Sequence, residues 1–125
     1  MGIDIPGFIA ALQHKDIKRS YQILKSSNAL PAVCGRVCPQ ESQCEATCVV
    51  GAKYQPVSIG RLERFVADFA MGRGWDEMPE VEGQPKRAAI IGSGPSGLAC
   101  AGDLARNGVK GALSSMPASF ALSLR

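Results

Sequence analysis

The sequence predicts a mainly α-helical chain whose grammar changes near residue 86, where the opening strand and helix of an incomplete doubly wound α/β unit begin. Three observations carry this. Apolar residues recur at three- and four-residue intervals over residues 4–27 and 58–72, the period of helices buried on one face. Four of the five cysteines crowd into positions 34–48. Beyond residue 86 a short apolar run leads into a glycine-rich turn, Gly92-Ser93-Gly94-Pro95-Ser96-Gly97.

Each element follows from its residues. Ile5, Phe8, Ile9 and Leu12, then Ile17, Tyr21 and Leu24, predict two short helices broken near His14–Asp16. Asn28 to Val33 contains Pro31 and reads as a turn into the cysteine segment. Cys44 and Cys48, four apart, fit one face of a short helix beginning near Glu41 or Ser42. Val49 to Val57, with Gly51 and Pro56, reads as a loop. Ser58 is the expected N-cap of a longer helix with an apolar stripe of Ile59, Leu62, Phe65, Val66 and Phe69; Gly72 and Gly74 stop it. The opposite face carries Arg61, Glu63, Arg64 and Asp68.

The expected organisation is a helical domain over residues 1–74, a linker over 75–86 rich in Pro and Glu, the start of a nucleotide-binding domain over 87–110, and a divergent tail over 111–125. Ala88 to Ile91 is a short buried strand, and a helix runs from about Pro95 to Asn107, ended by Gly108. The tail shows no strand alternation, breaks at Pro117, and is expected to be loosely ordered.

Composition narrows the function classes. A net charge of +3 with 20% charged residues, spread rather than clustered, points away from nucleic acid. No run approaches the ~18 apolar residues of a membrane span. The N-terminus has no basic region and Pro6 interrupts its short apolar stretch, so it does not read as a signal peptide. A cytoplasmic location is expected, where thiols stay reduced and five cysteines act as ligands or free thiols rather than disulfides. Only 6% of the chain is aromatic, so the core is expected to be small and in need of support.

Cys34, Cys38, Cys44 and Cys48 form C-x3-C-x5-C-x3-C. Clustered thiolates suit soft metals, as an iron–sulfur cluster or a zinc ion. Zinc usually takes two tight pairs separated by a longer excursion, and buried thiols without metal are the remaining alternative. The turn Gly92, Ser93, Gly94, Pro95, Ser96, Gly97 is G-x-G-x-x-G after a predicted strand and before a predicted helix, the setting of the Rossmann-type fingerprint. Its first Gly permits the tight turn, its second admits a pyrophosphate, and its third lets the helix close on the strand. The carboxylate expected about 20 residues later to hold the ribose hydroxyls is missing, since no Asp or Glu follows Asp103. Cys100 reads as a packed core thiol and His14 as a surface residue.

The run Leu30-Pro31-Ala32-Val33-Cys34-Gly35-Arg36-Val37-Cys38-Pro39-Gln40-Glu41, continued by Cys44-Glu45-x-x-Cys48 and Val57-Ser58-Ile59-Gly60-Arg61-Leu62-Glu63-Arg64-Phe65, resembles the N-terminal domain of the glutamate synthase small subunit. The same domain occurs in dihydropyrimidine dehydrogenase and related NAD(P)H–ferredoxin oxidoreductases. The resemblance implies an α-helical ferredoxin-like domain carrying two [4Fe-4S] clusters, with Cys38 and Cys44 on one and Cys48 on the other. Glu63 falls where some members use a Gln or Glu oxygen as a fourth ligand, and Cys34 matches a cysteine outside the ligand set. The glycine turn would bind FAD. The parent enzyme would pass electrons from NAD(P)H through FAD and the clusters to a partner, the glutamate synthase large subunit or a ferredoxin-type subunit.

The family's first four-cysteine motif lies upstream of the segment matching Gly2 to Pro6. The expectation is therefore a fragment shortened at both ends, holding no intact [4Fe-4S] pair and inactive alone. About eight iron atoms per chain, the content of two such clusters, would overturn that expectation. The alternative is a non-catalytic helical interaction module, cofactor-free or zinc-bearing, that docks through the Ile59–Phe69 helix.

Overall fold

The computed structural model describes residues 2–75 and 86–114. The linker expected over 75–86 lies almost wholly outside those residues, as does the tail beyond residue 114. The chain divides into two compact units, Met1–Asp76 and Glu77–Arg125. The described residues are mainly helical.

The first unit contains α1 (Ile5–Gln13), α2 (Ile17–Ser27), α3 (Pro31–Val37) and α4 (Ile59–Gly72), with short 3-10 turns at Gln40–Ser42 and Val49–Ala52. α1 and α2 are separate helices because each has its own cap. Asp4 accepts the Gly7 N–H at 2.9 Å and Asp16 accepts the Arg19 N–H at 2.9 Å, satisfying donors that a helix start leaves orphaned. Between them α1 ends in a Schellman turn. Asp16 N–H donates to Ala11 O and Lys15 N–H to Leu12 O, both at 2.9 Å, with Lys15 at φ 60. That conformation crowds a Cβ and suits glycine. Lys15→Gly is expected to stabilise the unit by up to about 1 kcal/mol, seen as a higher melting temperature of the helical circular-dichroism signal.

Asn28 to Val33 was expected to be a turn, yet α3 already begins at Pro31. Proline at the first helical position gives up an N–H that would be orphaned there anyway, and its fixed φ suits a helix. Only Asn28 to Leu30 make the turn. α4 ends in a second Schellman turn at Gly74 (φ 67), with Gly74 N–H on Met71 O at 3.1 Å and Trp75 N–H on Ala70 O at 3.0 Å. Gly72 remains helical, and the Ser58 side chain makes no capping bond. Trp75 packs against Phe69 with ring centroids 5.6 Å apart.

Phe8, Tyr21, Leu24, Val66 and Ala70 form the core, flanked by Ile5, Ile9, Leu12 and Ile59. The buried face of α4 differs from the expected stripe. It carries Gly60, Glu63, Val66, Ala67 and Ala70, while Phe65 is half exposed. Small residues win these positions because α3 and α2 pack on α4 closely. A Cβ on Gly35 of α3 would lie 2.8 Å from the Arg64 backbone nitrogen.

The second unit contains β1 (Arg87–Ile91), α5 (Pro95–Arg106) and β2 (Lys110–Ser114). The strands are parallel, pairing Arg87 with Lys110 through Ile91 with Ser114. The residues from Gly111 were expected to open a loosely ordered tail, but Gly111 to Ser114 are strand. Backbone hydrogen bonding to β1 settles this where side-chain alternation gives no signal. Cys100, expected in a core, is exposed. The half-buried side of α5 runs through Gly97, Ala101 and Leu104, and two strands cover only one side of a helix.

No helix among the described residues is long and apolar enough to cross a membrane.

Candidate functional site

The cysteine segment is placed by α3 and the turns after it. Cys34 lies within α3, and Cys38 caps its C-terminal end in an extended conformation, with its N–H on Cys34 O at 3.2 Å. Pro39 stops the helix, because it lacks the N–H that another turn would need. Cys44 and Cys48 were expected on one helix face, and the structure contradicts this. Gln43, at φ −119 and ψ −103, leaves helical space just before Cys44. Turn bonds then carry the chain on, with Glu45 N–H on Gln40 O at 2.9 Å and Cys48 N–H on Glu45 O at 3.2 Å.

The outcome is a sorting of the thiols. Cys38, Cys44 and Glu63 line one cavity of ≈ 120 Å³ whose other walls include Ile5, Phe8 and Leu24. Neither Cys34 nor Cys48 lines it. Among the described residues no three His, Cys, Asp or Glu side chains converge on a point where one metal ion would sit.

Glu63 was expected on the polar face of α4, but it is 9% exposed. Gly60, Glu63, Ala67 and Ala70 recur at three and four residues, so Glu63 shares the buried stripe. Asn28, at the end of α2 and 7% exposed, donates from Nδ2 to Glu63 Oε1 at 2.7 Å. Asn28 Oδ1 in turn accepts the Leu30 N–H at 2.9 Å and the Cys34 thiol at 3.6 Å. Asn28 carried no functional signal in the sequence. An Asn ending a helix reads as an ordinary stop, and its partner is 35 residues away.

Two thiols and the carboxylate are electrically distinct. Burial pushes the Glu63 carboxyl up, against the opposing pull of the Asn28 hydrogen bond. Partial desolvation also pushes the Cys38 thiol up, reinforced by Cys34 and Glu63 beside it. Cys48 moves the other way. The Val57 N–H approaches its sulfur at 3.5 Å, and the Val57, Gly51 and Val50 N–H groups together favour the thiolate.

The Glu63 shift has a sign that can be checked. Because the folded carboxyl holds its proton more tightly than the unfolded one, the stability it contributes is complete below the unfolded value, about 4.3, and is lost as pH rises through the raised folded value. In the metal-free chain, Glu63→Gln is expected to match the parent near about pH 4 and to melt a few degrees higher near neutrality. A melting series across pH checks this, and an equal gap at every pH would contradict it.

In the second unit, two glycines of the turn after β1 occupy positions that disfavour a side chain. Gly92 has φ 101, and a Cβ on Gly97 would collide with the Gly92 carbonyl oxygen. Gly94 is the N-cap of α5 and Pro95 its first residue. Ser93 and Ser96 lie between these glycines, and Gly92 N–H bonds Ser114 O at 2.9 Å.

Comparison with known proteins gives a consistent picture. Residues 1–75 match the family model described as dihydropyrimidine dehydrogenase domain II, 4Fe-4S cluster. The chain is 43% identical over 107 residues to the glutamate synthase [NADPH] small chain of Escherichia coli (strain K12), covering 85% of this chain and 23% of the relative. It is 38% identical over 104 residues to the NAD-dependent dihydropyrimidine dehydrogenase subunit PreT of the same organism, covering 82% of this chain and 25% of that protein. With the glutamate synthase [NADPH] small chain of Azospirillum brasilense it shares 32% identity over 111 residues, 84% of this chain and 22% of the relative. The chain thus spans about a quarter of the length of these curated relatives.

Proposed function

The chain belongs to the dihydropyrimidine dehydrogenase domain II, 4Fe-4S cluster family, and from that membership we propose that it supplies ligands to [4Fe-4S] clusters in an electron-transfer oxidoreductase of the glutamate synthase small-chain type. The observation that carries this is the cavity lined jointly by Cys38, Cys44 and Glu63. Cys38, Cys44 and Glu63 serve one cluster and Cys48 a second. Cys34 stays outside the ligand set.

The donor set suits the group in kind. Thiolates are the usual ligands of iron–sulfur clusters, and Cys38 and Cys44 supply two beside the Glu63 carboxyl. Hydrogen bonds to cluster sulfurs tune the potential of such a group. The Val57, Gly51 and Val50 N–H groups at Cys48 would supply such hydrogen bonds to its sulfur if Cys48 held a cluster. Five cysteines in all, with Cys100 on α5, do not by themselves complete two sets of four.

The turn Gly92 to Gly97 is the phosphate-binding part of a Rossmann-type FAD site in the same proposal, supported by its position between β1 and α5 and by the Gly97 packing. When bound, the clusters would supply one-electron carriage and the flavin an exchange with NAD(P)H. The partner that takes the electrons is a large subunit of glutamate synthase type or a ferredoxin-like subunit.

Anaerobic reconstitution with ferrous iron, sulfide and a small thiol to occupy open positions tests the reading. The chain is expected to turn brown and bind about four iron atoms at the Cys38, Cys44 and Glu63 site. Cys38→Ser and Cys44→Ser should each reduce bound iron severalfold, and Cys34→Ser should not. A colourless chain, or iron unaffected by the Cys38 and Cys44 substitutions, would sink the proposal.

A further inference from the structure

We infer that Asn28 is a positioning residue for Glu63, pinning one carboxylate oxygen so that the other is presented to the cavity that Cys38 and Cys44 line. The inference rests on the reading of Glu63 as a ligand given above.

The geometry fixes which end of Asn28 does this. An Asn side chain has one acceptor oxygen and one amino group. The oxygen is committed, because it accepts the Leu30 backbone N–H at 2.9 Å and the Cys34 thiol at 3.6 Å. The amino group must then face Glu63, and it donates to Oε1 at 2.7 Å. Both residues are buried, so the bond is shielded from competing water. No buried side-chain polar atom among the described residues lacks a partner, and Glu63 borders the cavity. The carboxylate is thereby held in one orientation, as partners behind metal ligands commonly do.

A neutral donor is well suited to this task. It orients the carboxylate without cancelling the charge that a bound cation would use. The arrangement also gives Cys34 a part to play. Its thiol helps fix the Asn28 amide, while the Leu30 N–H that Asn28 accepts lies at the start of α3, the helix that carries Cys38. One residue at the end of α2 thus links the α3 start, the α4 carboxylate and the cysteine outside the ligand set.

Asn28→Asp is the test, since it keeps the oxygen that serves Leu30 and Cys34 and replaces the amino donor to Glu63 with a second carboxyl oxygen. In the full chain reconstituted with iron and sulfide, this variant should lose iron to a chelator at least about tenfold faster than the parent. Its reduced electron paramagnetic resonance spectrum should shift as that of Glu63→Ala does. The double variant Asn28→Asp with Glu63→Ala should be no worse than Glu63→Ala alone.

If Glu63→Ala alters iron loss and spectrum while Asn28→Asp leaves both at parent values, or if the two losses multiply in the double variant, this inference fails and the ligand reading stands. If Glu63→Ala changes neither, the ligand reading fails and the inference with it. Should Asn28→Asp fail to fold, side-chain amide exchange in the metal-free parent decides. Asn28 amide protons protected relative to those of exposed Gln13, and released by Glu63→Ala, support the inference; exchange as fast as Gln13 overturns it.

Discussion

Phe8→Ala is expected to abolish or nearly abolish cooperative folding of the helical unit. Phe8 is fully buried and packs with Tyr21, Leu24, Val66 and Ala70, while its carbonyl accepts the buried Ser20 hydroxyl at 3.0 Å. Truncating a buried Phe costs about 3–5 kcal/mol, part of it for the cavity left behind. A domain of this size has only about 5–15 kcal/mol to lose. Phe8 is also a wall of the Cys38 and Cys44 cavity, so the new void opens beside those two thiols. A melt followed by circular dichroism should show a broad, low transition. Phe65→Ala, at a half-exposed aromatic, should cost far less; comparable losses at both positions would contradict this packing.

Gly35→Ala separates two opposed effects. Alanine is the better helix former by about 1 kcal/mol, so local propensity alone predicts a gain. At Gly35, however, a Cβ would meet the Arg64 backbone nitrogen at 2.8 Å and its Cα at 3.0 Å. Backbone atoms of a packed helix cannot step aside as a flexible side chain can. α3 must move away from α4, at a cost of about 1–3 kcal/mol. Because α3 carries Cys38 and α4 carries Glu63, the same displacement should lower iron retention. Gly72→Ala makes the matched comparison, since nothing lies within 4 Å of its Cβ position, and it should stabilise by about 0.5–1 kcal/mol. Thermal melts of the two variants check the opposite signs.

The first two helices were legible from sequence because their signals are local. Apolar spacing of three and four places a face, and Asp4 and Asp16 start each helix within three residues of the bond they accept. The glycine turn was legible for the same reason. Gly92 needs a positive φ and Gly97 a close approach, and both needs are written in a six-residue spacing. The cysteine spacing and its neighbours were enough to point to the iron–sulfur family that residues 1–75 match.

The placement of Glu63 was not legible. A charged residue among Arg61, Arg64 and Asp68 reads as solvated, and only the packing of other helices on α4, with Asn28 at the end of α2 bonded to Glu63, makes that side the buried one. The non-helical Gln43, which ends the Gln40–Ser42 turn just before Cys44, gave no residue-type signal. The β2 strand has no side-chain alternation and exists through its backbone pairing with β1. The sequence alone determined α1, α2, α4 and α5, the glycine turn and the iron–sulfur family, since these depend on neighbours a few residues apart. Tertiary structure decided which thiols share a cavity, which face of α4 is buried and what holds Glu63. Those depend on contacts between residues as distant as Asn28 and Glu63, whose pairing no local pattern encodes.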